Sequence, residues 1–144
     1  MTYVRHLSLT SMGLAGVMML AACHNTPQGL QQARDAIATE LPAPYFEDLM
    51  TESATIDGDR LVLLIRSPEG DAERTRTSPG FASLQSSEER EMRALCAHDA
   101  IQPLVKTDAV LVRRFVDRNN NLFFELELPA RECLNPPANA PATP

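Results

Sequence analysis

Tryptophan is absent from these 144 residues, and two tyrosines and five phenylalanines are all the aromatic side chains there are. Any core must therefore lean on Leu, Val and Ile. Histidine and cysteine are equally scarce, at three each. There is no phosphate-cradling glycine loop, no Ser/His/Asp set beside a strained glycine turn, and no metal-ligand spacing. Basic residues number 13 against 19 acidic ones, for a formal charge of −6. That balance argues against nucleic acid and against a polybasic membrane patch. The expectation is a protein with no catalytic residues, metal, cofactor, small-molecule substrate or nucleic-acid partner.

Long apolar runs are missing too, with one exception near the start. Arg5 and His6 precede an apolar segment from Leu7 to Leu20, broken only by small residues and hydroxyls, and "LAAC" follows at residues 20–23. The segment is too short to span a bilayer, which takes roughly 20 residues. It has the length and flanks of a secretory signal peptide. A buried helix is the plainer alternative, but Gly13 and Gly16 would each cost it about 1 kcal/mol, and nothing caps the run.

"LAAC" resembles the lipobox of bacterial lipoproteins, a branched apolar residue and two small ones before the modified cysteine. The resemblance implies cleavage after residue 22, with a diacylglycerol and an N-acyl chain on Cys23. Each buried methylene is worth about 0.8 kcal/mol, and several chains anchor stably where one is marginal. The non-acidic His24 that follows implies export to the periplasmic face of the outer membrane. Removing residues 1–22 takes away one basic and no acidic residue, so the formal charge moves from −6 to −7.

The far end, residues 134–144, holds four prolines, no charge and one large apolar side chain, Leu134. It cannot bury enough surface to offset its ordering entropy and reads as a disordered tail. Residues 23–27 read as a lipidated tether, and residues 28–133 as one small domain.

Cys96 and Cys133 are the natural covalent staple of that domain. They are the pair left after lipidation, and the compartment beyond the inner membrane is oxidising. Closing such a loop restricts the unfolded chain by roughly 3 to 4 kcal/mol. A metal site would need more ligands than His24 and His98 provide. A nucleophilic Cys96 would have His98 two residues away, a spacing that no familiar hydrolase uses.

Leu30, Ala33, Ile37 and Leu41 recur at helical spacing, and Pro42 and Pro44 end the helix. Residues 45–67 read as two strands joined at Asp57–Gly58 by a type I′ turn. The second strand, Leu61–Ile65, is a continuous apolar run, covered on both faces. Residues 68–80 read as a polar loop with no core residue. Helical spacing returns through Phe81, Leu84, Met92 and Leu95, with Ser86 and Glu89 placed as a capping box. Glu88, Glu89 and Glu91, mixed with Arg90 and Arg93, read as a solvated face. A hairpin follows, from Val110 to Asp117 through Asn119–Asn121. On its return strand Leu122, Phe124, Leu126 and Leu128 alternate against Phe123, Glu125 and Glu127. The order implies an α+β fold, an antiparallel sheet of four or more strands with two or three helices and one disulfide.

The lipobox, the first helix ending in "ELP", "LCAHDAIQPLV", the hairpin turning through "DRNNN" and the closing "REC" together resemble the lipoprotein pilotins of type II secretion systems, in their α+β subclass. The resemblance implies a carrier that binds a secretin's C-terminal segment as a helix in an apolar groove and brings it to the outer membrane for assembly. Leu61, Leu63, Val110 and Val112 are the candidate lining, because their strands carry more apolar residues than one buried face needs. A second helical layer over them is the plainer alternative. A lipid-anchored accessory protein without a secretin partner is the alternative function.

Overall fold

A computed structural model describes residues 26–135. The signal segment, Cys23, most of the tether and all but two residues of the tail lie outside the described residues. Helix α1 (Thr26–Ala38) buries Leu30, Ala33 and Ile37. It starts before the expected domain boundary, with Pro27 in its first turn, where the missing N–H costs no helical bond. A Cβ on Gly29 would lie 3.2 Å from both Leu104 Cδ2 and the Pro103 carbonyl, so α1 rests closely on the 3₁₀ turn Asp99–Leu104.

Five strands follow: β1 (Ala43–Phe46), β2 (Leu49–Asp57), β3 (Arg60–Ser67), β4 (Val110–Asp117) and β5 (Leu122–Pro129). They form one sheet in chain order. Residues 45–57, expected as one strand, divide into β1 and β2 at Glu47, whose φ of 51° folds the chain back. Gly58 has a φ of 63° but Asp59 is not left-handed, so the β2–β3 turn lacks the two positive angles of type I′. All pairs are antiparallel except β3–β4, which run parallel in the middle. The crossover between them holds a short α2 (Ala72–Arg76), then α3 (Phe81–Met92) and the 3₁₀ turns Arg93–Ala97 and Asp99–Leu104.

The region expected as a coreless loop thus contributes α2. Asp71 caps it through Arg74 N–H at 2.9 Å, and Ala72 is fully buried in the main core. The expected capping box is also corrected. Helix α3 starts at Phe81 behind Gly80 with no side-chain cap, leaving Ser86 and Glu89 in mid-helix. The Ser78–Gly80 turn brings the start forward.

The core lies on one face of the sheet. There α1, α3 and the 3₁₀ turns cover Leu61, Leu63, Ile65, Leu111, Phe115 and Phe124. Val62, Val112 and Val116 point to the opposite face, yet are also buried. The buried apolar residues of α1, α2 and α3 all belong to the cluster on the first face. The opposite face carries the ion-paired side chains of Arg60, Arg114, Glu125 and Glu127. The expected alternation of β5 fails at its start. The register slips so that Phe115 faces Phe124 while Val116 faces Leu122. This bulge at Phe123 turns that side chain inward and leaves Leu122 42% exposed.

Candidate functional site

Cys96 and Cys133 form a disulfide, with Cα atoms 5.2 Å apart. It joins the turn after α3 to the turn Ala130–Leu134 that follows β5. Both ends of one wall, α3 on one side and β5 on the other, are thereby tied at their shared end. Between them runs a cleft of about 460 Å³. Met92, Leu126 and Leu128 are its buried apolar lining, Glu89, Arg90, Arg93 and Glu132 its charged lining, and the β5 backbone at Glu125 and Glu127 borders it. Glu132 faces Arg93 at 3.5 Å.

The strand beside this cleft is an open edge. Ala130 N–H donates to the Ala109 carbonyl and Val110 N–H to Asp59 on the β3 side. An antiparallel ladder alternates, so Leu128, Leu126 and Phe124 turn their backbone groups toward β4, and Glu127 and Glu125 turn theirs outward. Pro129 occupies the next outward position, where its lack of an N–H costs no ladder bond. No strand among the described residues pairs with that side of β5.

Above the core face, α3 is held by a polar group that the expected solvated face did not foresee. Glu88 is only 7% exposed. It accepts a hydrogen bond from the Tyr45 hydroxyl, which accepts one from Arg113 Nη1 at 2.9 Å. The Arg113 guanidinium lies 5.1 Å from the Tyr45 ring centroid and 3.9 Å from Glu88. Burial, then the hydrogen bond to Glu88, pushes the Tyr45 hydroxyl well above its ordinary range. The trio thus links β1, α3 and β4. Leu84, expected in the apolar stripe, is instead half-exposed.

A second cleft, about 490 Å³, lies between α2 and the β4–β5 turn, lined by Asp71, Glu73, Arg76 and Asn119–Asn121. Its buried acid is Asp117. Desolvation opposes the Asp117 charge, but bonds from the Asn121 side chain and from the Asn121, Ala72 and Asn119 backbone outweigh it and hold the pKa at about 2. Those donors come from the turn itself and from α2, so this carboxylate organises the hairpin.

The four expected lining residues separate onto two faces. Leu61 and Leu63 lie beneath the helices, inside the core. Val110 and Val112 face the other way; Val112 is fully buried and Val110 half-buried. The parallel β3–β4 register, Leu61 beside Leu111 and Val62 beside Val112, makes the split. The four therefore line no common groove. Sequence reasoning missed the α3–β5 cleft, although the run of acids and leucines in "FELELP" after a turn is the pattern of an edge strand guarded by charge. Among the described residues, no cluster of three or more His, Cys, Asp or Glu could hold a metal ion.

No family model matches the chain, and no curated protein matches it by sequence. Solved structures match it in three dimensions. One is a Pseudomonas aeruginosa protein described as secreted, with a TM-score of 0.58 and 19% identity over 75% of this chain and 92% of that one. Another is EpsS, the pilotin of the Vibrio vulnificus type 2 secretion system, with a TM-score of 0.50 and 13% identity over 75% of this chain and 94% of that one. The fold is pilotin-like. At these identities the likeness is one of architecture. The α3–β5 cleft is accordingly defined by this chain's own residues.

Proposed function

We propose that this chain is a lipid-anchored envelope protein of the pilotin type. It binds the C-terminal segment of a secretin and promotes that subunit's delivery to the outer membrane and its assembly in type II secretion. The observation that carries the reading is a pilotin-like fold with one open sheet edge beside a cleft, framed by a disulfide. Such a frame suits capture of a peptide and requires no chemistry. Acyl chains on Cys23 are the anchor in this reading, and no cofactor or enzymatic step enters it. Only His24 and Asn25 separate Cys23 from α1. At no more than about 3.5 Å per residue, the domain sits close against the lipid surface.

Calorimetry of the mature, oxidised domain against C-terminal peptides from every secretin of the same genome tests the binding. The expected affinity is on the order of micromolar to high nanomolar, since docking must offset the ordering of the peptide. Binding to none of them removes the secretin and leaves an accessory lipoprotein. The anchor has its own test. Cys23→Ser should lose all incorporation of a palmitate analogue, and equal labelling of both proteins would remove the lipid from the reading.

A further inference from the structure

We propose that the outer edge of β5 is a strand acceptor, which takes an extended segment of a partner protein alternating Lys or Arg with apolar residues. The proposal rests on the reading that the α3–β5 cleft receives a partner segment, and it is independent of whether that partner is a secretin.

Three observations carry it. The outward backbone groups of Glu125 and Glu127 sit one pleat apart, the repeat with which a new antiparallel strand bonds. An added strand would set alternate side chains on the two sheet faces. Those beside Leu126 and Leu128 would enter the cleft lined by Met92, whose 460 Å³ is room for a few side chains. Those opposite Glu125 and Glu127 would lie on the other face, where the Glu127 carboxylate is exposed.

Charge then selects the occupant. Glu125 and Glu127 share Arg60 on their inner side, and Arg114 reaches Glu125. Both oxygens of Glu125 are thereby engaged, whereas Glu127 uses one and its side chain stays 56% exposed. Glu127 is thus the carboxylate open to an added side chain; Arg90 and Arg93 line the cleft beside α3. A second copy of this chain, paired antiparallel about Leu126, would set Glu125 opposite a second Glu127. Like charges directly opposite are destabilising, whereas opposite charges stabilise. Acids on an edge strand thus block self-pairing and admit a basic strand. Pro129 ends the open β5 edge just past Glu127, whereas the other edge, β1, is four residues long and carries Pro44 within it.

Three peptides of β5's own length make the test on the mature, oxidised domain: lysine alternating with valine, glutamate alternating with valine, and the lysine–valine composition reordered to helical spacing. Backbone amide spectra are the readout. The alternating lysine peptide should shift the Glu125 and Glu127 amides and slow their exchange. It should bind at least about tenfold more tightly than either other peptide and weaken with added salt. Glu127→Pro removes an outward N–H that the sheet does not use, and should cost at least about tenfold more than Glu127→Ala, which loses the same carboxylate. The double change Glu125→Lys/Glu127→Lys should transfer the preference to the glutamate peptide. Equal binding of the helically spaced peptide, shifts confined to other residues, or no response to any peptide would overturn the strand acceptor. Strand pairing with the lysine peptide alongside silence from every secretin segment would remove the secretin alone.

Discussion

The two faces of the sheet both bury valines, leucines and phenylalanines, but they exclude water from them by different means. On the helix face, α1, α3 and the 3₁₀ turns lay apolar side chains over Leu61, Leu63, Ile65 and Phe115. The stacked pair Phe115–Phe124, 4.5 Å between centroids, is at its centre. On the other face, Val62, Val112 and Val116 are buried as well. The register sets long charged side chains, Arg60, Arg66, Arg114, Glu125 and Glu127, on that face beside them. Arg60 extends from β3 to Glu125 and Glu127 on β5, and so passes over β4 near Val112. Arg66 joins Glu52, the Asp117 carbonyl and Asn120. Arginine stems cover apolar surface while their heads stay wet. Burial alone therefore does not mark a core; what matters is whether the covering side chains are themselves desolvated.

That difference is open to measurement. The largest expected effect is Phe115→Ala, which should cost about 3 to 5 kcal/mol in chemical denaturation, because the helix face cannot collapse around the hole. An effect near 1 kcal/mol would mean that α1 and α3 are loosely seated. Glu88→Ala should come next, on the order of 3 kcal/mol, since it leaves Arg113 buried without its carboxylate. Replacing both, Glu88→Leu with Arg113→Met, should recover most of that loss. A double variant no better than the single one would show that the trio's value lies in its hydrogen bonds to Tyr45 rather than in charge balance.

Asp117 sharpens the comparison by pH. Its carboxyl is lowered from an ordinary 3.8 to about 2. Its stabilisation is therefore complete above about pH 4 and is lost as pH falls through about 2. The stability difference between the wild type and Asp117→Ala should shrink over that interval. A constant gap from pH 6 to pH 2 would assign the effect to shape instead of charge. The smallest effect belongs to the ion-paired face. Arg60→Ala should cost no more than about 1 kcal/mol, because partly exposed pairs are screened and entropically taxed. A loss comparable to that of Glu88→Ala would show that face to be desolvated as well.

Much of this architecture is legible along the chain. The α1 stripe at Leu30, Ala33 and Ile37, the β3 run, the asparagine turn and the Cys96–Cys133 pairing each follow from spacing, turn chemistry or the count of cysteines. The cleft is legible only in part. The acids and leucines of "FELELP" announce an edge strand, but nothing local places α3 beside it.

Residues near one another in the chain determine an element's type, since helical and pleated periods are local geometry, and these determined the α+β class, the final hairpin and the acidic charge. Tertiary structure decided the rest through neighbours far apart in sequence. Glu88 went inward because Arg113, 25 positions on, projects from the centre of the sheet and must be neutralised where water cannot reach. Phe123 went inward because β5 slips one residue against Val116, which no alternation within β5 could foretell. The parallel β3–β4 pairing sent Leu61 and Val112 to opposite faces, because a strand's side chains alternate and its partner's register alone chooses which set meets the helices.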